Sequence, residues 1–385
     1  MKTTAIHQYL ISTRVFWGPG SLARLPRLLG SRAKPLIVTD QGVIAAGLLD
    51  RLTKILREGG MDYGLFDRTQ PDPPVEVVET AAEQYRRQGC NALIGLGGGS
   101  SLDTAKAVGI MVNNPLPLRE YGAGKRLENP LPPLYAVPTT AGTGSEATNV
   151  TMISDTARQV KMVIGGWQIS PQGAILDPEL VVGLPARLAA ETGADALSHA
   201  VEAYASSGAN PFTDALALQA IRMIGRNLAP MVNRPASLET SGQMLAASCL
   251  AGMAFASAGL GLVHALSHVL GAHYHVGHGR ACALYLPLVM EFNKPACPER
   301  YADIAAALGA DITGLTKDQA AERAVLTVNS LLREIGLPGT YQDLGIPFEL
   351  KPEMVDEIVG SVNQKTNPRA SSADQLAALF RGHNT

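Results

Sequence analysis

Apolar positions follow two different regimes along the chain. In the first half, short aliphatic and β-branched runs alternate with helical patterns. Residues 35–40 (PLIVTD) predict a buried strand, residues 75–88 an amphipathic helix, and residues 91–96 (NALIGL) a second strand. A glycine cluster follows, then a helix over 102–112. Residues 134–137 (LYAV) predict a strand ahead of a Thr/Gly-rich loop, and residues 174–176 the last strand. Such alternation implies parallel pairing through right-handed crossovers. Around Gly183 to Pro185 the character changes and strand signals almost vanish. Ala/Leu-rich stretches at 187–206, 213–232, 238–257, 317–335 and 373–380, punctuated by proline and glycine, predict helices. The expected organisation is an α/β domain over 1–184 and an all-helical domain over 185–385.

Composition narrows the partners. A chain of 385 residues exceeds one ordinary core and suits two domains. With 46% hydrophobic and 17% charged residues it has the balance of a globular protein. The net charge of −2, with no basic run, calls for neither nucleic acid nor an anionic membrane as partner. Cys90, Cys249, Cys282 and Cys297 form no CxxC pair and read as reduced thiols of a reducing compartment. Residues 1–13 lack the apolar core and cleavage site of a secretory signal. Residues 251–272 are apolar but interrupted by glycines, His264 and His268, a poor pattern for a membrane span. The expectation is a cytoplasmic enzyme.

Two loops carry candidate nucleotide chemistry. In Gly95-Leu96-Gly97-Gly98-Gly99-Ser100, glycines would let a pyrophosphate approach the backbone, and the helix that follows offers free N–H groups and the positive end of its dipole. The usual third glycine of the dinucleotide fingerprint is missing, so this loop alone is weak evidence and a plain strand-to-helix turn is its competing reading. The second loop, residues 138–146 (PTTAGTGSE), also follows a strand, and its hydroxyls suit phosphate or ribose. Two such loops at strand C-termini favour a nucleotide at the switch point of the sheet. Asp40, ending the first strand, could accept hydrogen bonds from a ribose 2′-hydroxyl; it could equally cap a helix.

The helical half holds a cluster of titratable side chains. Asp195 and His199 are four apart in a helical pattern and share one face. His264 and His268 repeat that spacing, and His278 sits in a Gly-His-Gly turn that could bring a side chain in from outside the helix. Burying these groups unpartnered would be costly, and a divalent metal compensates simply. Three imidazoles and a carboxylate suit Fe²⁺, Zn²⁺, Mn²⁺ or Ni²⁺, and spacing does not choose among them. The absence of thiolate ligands argues against a structural zinc site. A buried Asp–His pair beside unrelated histidines is the competing reading.

Several motifs, in order, resemble the iron-containing (group III) alcohol dehydrogenases: GLGGGSSLDTAKA (95–107), PTTAGTGSEATNVTMI (138–153), ILDPEL (175–180), TGADALSHAVEAY (192–204), the stretch 251–279 and LPLVMEFN (286–293). Within that family the chain looks most like the ethanolamine- and propanediol-utilisation type and lactaldehyde reductase. The resemblance covers residue 5 to the end. It implies a dehydroquinate-synthase-like fold: an α/β dinucleotide-binding domain, an all-α metal-binding domain and a cleft between them. It implies Fe²⁺, or another divalent ion such as Zn²⁺, on Asp195, His199, His264 and His278. Asp195, His264 and His268 are then the catalytic candidates, with His268 near the metal as an additional histidine and proton relay. NAD is the implied cofactor. Gly98, Gly99 and Ser100 would bind its pyrophosphate, Thr139, Thr140, Thr143 and Lys161 would flank it, and Asp72 would stand near its adenosine ribose. Asp40 would select NAD over NADP. Two positions depart from the family pattern: Asp72 replaces an asparagine, and Cys282 ends a His-Gly-Arg-Ala-Cys run where the family often has asparagine.

The resemblance implies small primary alcohols and aldehydes as substrates, and Phe255 and Leu260, flanking mostly small residues in the segment expected to approach the metal, suit them. Those small residues could also serve only close helix packing. A polyol dehydrogenase and a dehydroquinate-synthase-like lyase are the alternatives within the fold, and a metal-storing helical module is the alternative outside it. A homodimer or larger homo-oligomer is expected.

Overall fold

The structure, a computed structural model, describes residues 9–158, 160–234 and 237–382. Its contacts divide the chain into two compact units, Leu10–Leu184 and a second that runs from Pro185 and includes Tyr9.

The first unit is built on six parallel strands: β1 (Arg14–Trp17), β2 (Pro35–Val38), β3 (Gly64–Phe66), β4 (Ala92–Gly97), β5 (Leu134–Pro138) and, past a hairpin, β8 (Gly173–Leu176), in the order β1-β8-β5-β4-β2-β3. The central strands are apolar throughout because both faces are covered. Alternate residues serve opposite faces: Leu36, Val38 and Leu93 join one core, Ile37, Ile94 and Leu96 the other. Helices α1 (Leu25–Leu29), α2 (Gln41–Ala45), α3 (Leu48–Glu58), α4 (Val75–Arg87), α5 (Gly99–Asn113) and α6 (Leu118–Gly122) complete the layers. The hairpin of β6 (Val150–Asp155) and β7 (Val160–Gly165) is antiparallel and outside the main sheet.

Strand order sets the position of the loops. From β2 the chain runs to β3 on one side, whereas β4 and β5 lie on the other. The connections leaving β2 and β4 therefore diverge, opening a crevice at the carboxyl ends of these strands.

The second unit is helical in all its described regular elements. Helices α7 (Ala186–Ala205), α8 (Pro211–Asn233) and α9 (Leu238–Ala258) pack together, with α10 (Leu262–Tyr274), α11 (His278–Asn293), α12 (Pro298–Ala307) and α13 (Lys317–Glu334) around them. Caps mark the ends: Asn210 and Thr213 form a capping box before α8, with Pro211 in its first turn, and Thr316 with Gln319 does the same for α13. No single helix among the described residues is long and apolar enough to cross a membrane. The apolar stretch read in the sequence is two helices, α9 and α10, bent by 102° at their junction.

Candidate functional site

At the crevice of the α/β unit, Asp40 ends the β2 connection and caps α2: its Oδ1 accepts from Val43 N at 3.0 Å and its Oδ2 from Ser101 Oγ at 2.8 Å. The helix-capping reading of Asp40 is met, and a carboxylate has about four acceptor positions, so capping leaves others open. A Cβ on Gly97 would stand 3.0 Å from Asp40 Oδ2, so the carboxylate lies against the glycine loop.

Gly98 is the N-cap of α5 and makes no side-chain cap, which leaves N–H groups of the first turn for a ligand. The two loops touch. A Cβ on Gly99 would come within 2.7 Å of Thr143 Cγ2, and one on Gly98 within 3.5 Å of Thr140 Oγ1. Thr139 N donates to Gly97 O at 3.0 Å, and Gly98, Gly99, Ser100, Thr140 and Thr143 are all half-buried. The expected group is thus one continuous surface at the switch point.

Lys106, which the sequence reading passed over, ties the loops together. Fully buried, it donates to Ser145 Oγ (2.9 Å), Thr148 Oγ1 (2.9 Å) and Val150 O (2.8 Å), while Ser145 Oγ donates to Asp103 Oδ1 (2.6 Å). Burial pushes the Lys106 ammonium down to about 8, against the pull of Asp103 and Glu146. A lysine within the apolar helical run of 102–112 was the available signal. Lys161 and Asp72 pair with each other through Lys161 Nζ and Asp72 Oδ1. Asp72 has φ of 49°, a left-handed conformation that aspartate tolerates well among non-glycine residues.

In the helical unit, Asp195 and His199 lie one turn apart on α7, His264 on α10, and His278 at the first residue of α11. His278 does come in from outside α10, as expected, but from the start of a helix of its own and not from a plain turn. Asp195 Oδ1 stands 3.7 Å from His199 Nε2, 3.5 Å from His264 Nε2 and 3.3 Å from His278 Nε2. His199 stacks between Phe255 (4.4 Å) and His264 (4.5 Å), and His268 lies beside them with its ring 5.3 Å from that of His278. His273 instead pairs with Glu357 at 2.8 Å, and His275 ends α10.

Gly279 makes this convergence possible. A Cβ there would fall 2.2 Å from the Glu191 carbonyl oxygen, so only glycine lets the start of α11 rest on α7. Two further residues complete the site. Glu202, on α7 one turn beyond His199, takes His264 Nδ1 at 2.5 Å with one carboxylate oxygen and accepts from Val263 N at 2.6 Å with the other. It fixes the ring so that Nε2 faces Asp195, the familiar support of a metal-binding histidine by a carboxylate. The run Asp195, His199, Glu202 at helical spacing was its sequence signal. Cys282, one turn after His278, has its Sγ 3.6 Å from His278 Nε2. One ligand atom each from Asp195, His264, His278 and Cys282 all lie within 4.8 Å of one another. The cluster therefore contains a thiol, contrary to the expectation of none.

The electrostatics favour a cation. Asp195, His199, His264 and Glu202 are each 5% exposed or less. Burial raises the Asp195 pKa, but His199, His278 and His264 more than offset it and hold the carboxyl well below its usual range. Burial lowers the His264 pKa, and Glu202 with Asp195 reverses this, taking it to about 9. Two carboxylates that draw a proton so strongly onto His264 make the site attractive to any positive charge. Asp195 Oδ1 and His264 Nε2 are buried without a hydrogen-bond partner. Such groups cost roughly 1–3 kcal/mol each if left so, and a divalent ion would satisfy both. The donors present fit a metal.

Comparisons with known proteins agree with this chemistry. Residues 12–178 match the family described as iron-containing alcohol dehydrogenase, and residues 189–383 match the C-terminal part of the Fe-containing alcohol dehydrogenase family. The chain is 42% identical over 378 residues to 1,3-propanediol dehydrogenase of Klebsiella pneumoniae, covering 97% of each. It is 40% identical over 348 residues to NAD-dependent methanol dehydrogenase of Bacillus methanolicus, covering 90% of this chain and 91% of the relative. Among solved structures, that of a 1,3-propanediol oxidoreductase superposes with a TM-score of 0.94 at 41% identity, over 98% of this chain and 100% of the other. With parallel sheet, helical unit and family matches along nearly its whole length, the chain belongs to the iron-containing alcohol dehydrogenase family.

Proposed function

We propose that this NAD-dependent alcohol dehydrogenase interconverts small primary alcohols and aldehydes, with a divalent ion, iron first, held by Asp195, His199, His264 and His278. The observation that carries the metal reading is the pair of buried, unpartnered atoms, Asp195 Oδ1 and His264 Nε2, with His199 and His278 converging on the same carboxylate. When bound, the ion supplies Lewis acidity towards an alcohol or carbonyl oxygen, and NAD supplies the hydride acceptor.

The chain's own residues do the rest. Asp195 contributes a permanent negative charge, and Glu202 orients His264 with its Nε2 lone pair inward. His268, half-buried and stacked on His278, carries the hydroxyl proton outward to solvent. Phe255, against His199, offers an apolar wall to the alkyl part of the substrate. In the α/β unit, the first turn of α5 holds the pyrophosphate, Thr139, Thr140, Thr143 and Lys161 flank the cofactor, and Asp72, paired with Lys161, stands by the adenosine ribose. Asp40 receives the 2′-hydroxyl and disfavours a 2′-phosphate by like charge.

The relatives named for 1,3-propanediol and methanol support a short-chain alcohol, and the first favours a diol as a second reading. The reading includes a cytoplasmic location and a homo-oligomer, to be checked by fractionation and light scattering. The test of function is NADH formation by metal-replete protein over a series from ethanol to hexanol with 1,3-propanediol beside it. Efficiency is expected to rise with chain length until the apolar wall is covered, at about 0.8 kcal/mol per methylene buried. A flat series with a strong response to the diol would move the assignment to polyols. A marked preference for phosphorylated or carboxylated substrates would overturn it.

A further inference from the structure

One of the two residues that depart from the family's pattern, Cys282, lies within the proposed metal cluster. Cys282 is completely buried, and its position one turn after His278 on α11 puts both side chains on the same helix face. Its Sγ, with one atom each from Asp195, His264 and His278, forms the compact four-donor group described above. We propose that Cys282 is a sulfur ligand in this chain, giving a centre of mixed oxygen, nitrogen and sulfur donors. The proposal rests on the reading of Asp195, His264 and His278 as metal ligands.

The geometry favours ligation over mere packing. A packing cysteine needs only apolar neighbours, yet this one faces a buried carboxylate oxygen and an imidazole nitrogen that have no hydrogen-bond partner of their own. The Cys282 sulfur is within 4.8 Å of a donor atom of each of Asp195, His264 and His278, close enough for all four to share one ion. As the sulfur–metal bond forms, the S–H proton passes to solvent and the thiolate charge offsets part of the ion's. No redox change is involved. The consequence is selectivity: thiolate is a soft donor, so the centre should favour Zn²⁺ or Co²⁺ over Fe²⁺ more than an all-nitrogen-and-oxygen centre would.

The experiment loads the metal-free full chain with Co²⁺ alone and follows cobalt content and near-ultraviolet absorption. Wild-type protein should show a sulfur-to-cobalt charge-transfer band. Cys282→Ala and Cys282→Asn should lose the band while still retaining cobalt, and should lose preference for Zn²⁺ over Fe²⁺ in competition by several-fold. If those variants do not fold, X-ray absorption of the zinc-loaded wild type decides whether sulfur is bound, through a scattering shell at about 2.3 Å. Cys249→Ala and Cys297→Ala then assign it, both being expected to keep the cobalt band. Cobalt bound without the band, a band that survives loss of Cys282, or a zinc shell of nitrogen and oxygen alone would overturn the proposal and leave the His/Asp centre standing. Failure to bind cobalt at all would overturn both.

Discussion

At the switch point of the α/β unit, the groups that meet are backbone amides, threonine hydroxyls and one carboxylate, most of them half-buried. In the helical unit they are imidazoles, carboxylates and a thiol: Asp195, His199, Glu202, His264 and Cys282 are buried, His268 and His278 half-buried. The first surface is made by two loops that each follow a strand, so its shape comes from backbone. The second is made by side chains from three helices, so it exists only once those helices are packed. The first tolerates water, because amides at a helix start can exchange it for a phosphate. In the second, Asp195 Oδ1 and His264 Nε2 are buried without partners, and only the half-buried His268 and His278 side reaches towards solvent.

The largest effect expected from this difference is at His264. Replacing it with Ala removes a proposed ligand and strands Asp195 and Glu202 as buried charges. Turnover should fall on the order of a thousand-fold, since Lewis-acid stabilisation is worth several kcal/mol at about 1.4 kcal/mol per decade. Metal analysis should find the site depleted; full metal content with unchanged turnover would remove His264 from the centre.

Two glycines test the contrast directly. Gly279→Ala drives a Cβ to 2.2 Å from the Glu191 carbonyl oxygen, which is backbone and cannot yield alone. Overpacking of this kind costs roughly 1–3 kcal/mol, so thermal stability and metal content should both drop while NAD binding persists. Gly99→Ala meets the Thr143 side chain instead, at 2.7 Å. It should weaken NAD binding and leave the metal in place. Calorimetric titration of NAD beside metal analysis reads both, and matching losses in both variants would mean the two surfaces are not separable.

A smaller change is expected from Asp40→Gly. Preference for NAD over NADP should narrow or reverse, with only about a few tenths of a kcal/mol of stability lost, because glycine is itself tolerated at an N-cap. Wild-type preference for NADP in steady-state kinetics would refute this role.

The smallest effect is a control in the α/β unit. Arg119 donates to Asp155 at 2.9 Å, and this hydrogen bond holds the carboxyl below its usual range despite the opposing effect of desolvation. A folded-state pKa that is lowered contributes stability above the unfolded value, near about 3.9, and loses it as pH falls through the folded value. Asp155→Asn should therefore be less stable than wild type in urea at neutral pH, with the gap closing in acid. Metal content should not change at any pH where both stay folded.

The sequence spoke most clearly where a single stretch carries its own signal. Strands β2, β4, β5 and β8 are apolar runs ended by loop residues, and α5 begins at its glycines. The edge strands β1 and β3 escaped notice. They are four and three residues long, with Arg14 in one and glycine opening the other, and an edge needs little apolar pattern. The hairpin of β6 and β7 stands outside the sheet, so the alternation of strand and helix did not announce it. At the cluster, Asp195 and His199 were legible as a helical pair. Glu202 follows them at helical spacing, but its role was not legible, because its partner His264 is 62 residues away and only packing makes them neighbours. Cys282 was noticed as unusual, but its place beside His278 depends on α11 starting at residue 278.

Glu202 ends the first turn of α10 with one oxygen and steadies the imidazole of that same turn with the other. Fraying of α10 and loosening of the His264 ring, the proposed ligand, are thus expected to go together. Amide hydrogen exchange at Val263 becomes a gauge of occupancy: it should slow as metal is added, and it should reach full protection only when the centre is filled. A protein that has lost its ion would then be marked, before any loss of overall fold, by an exposed helix start that a protease or chaperone could find.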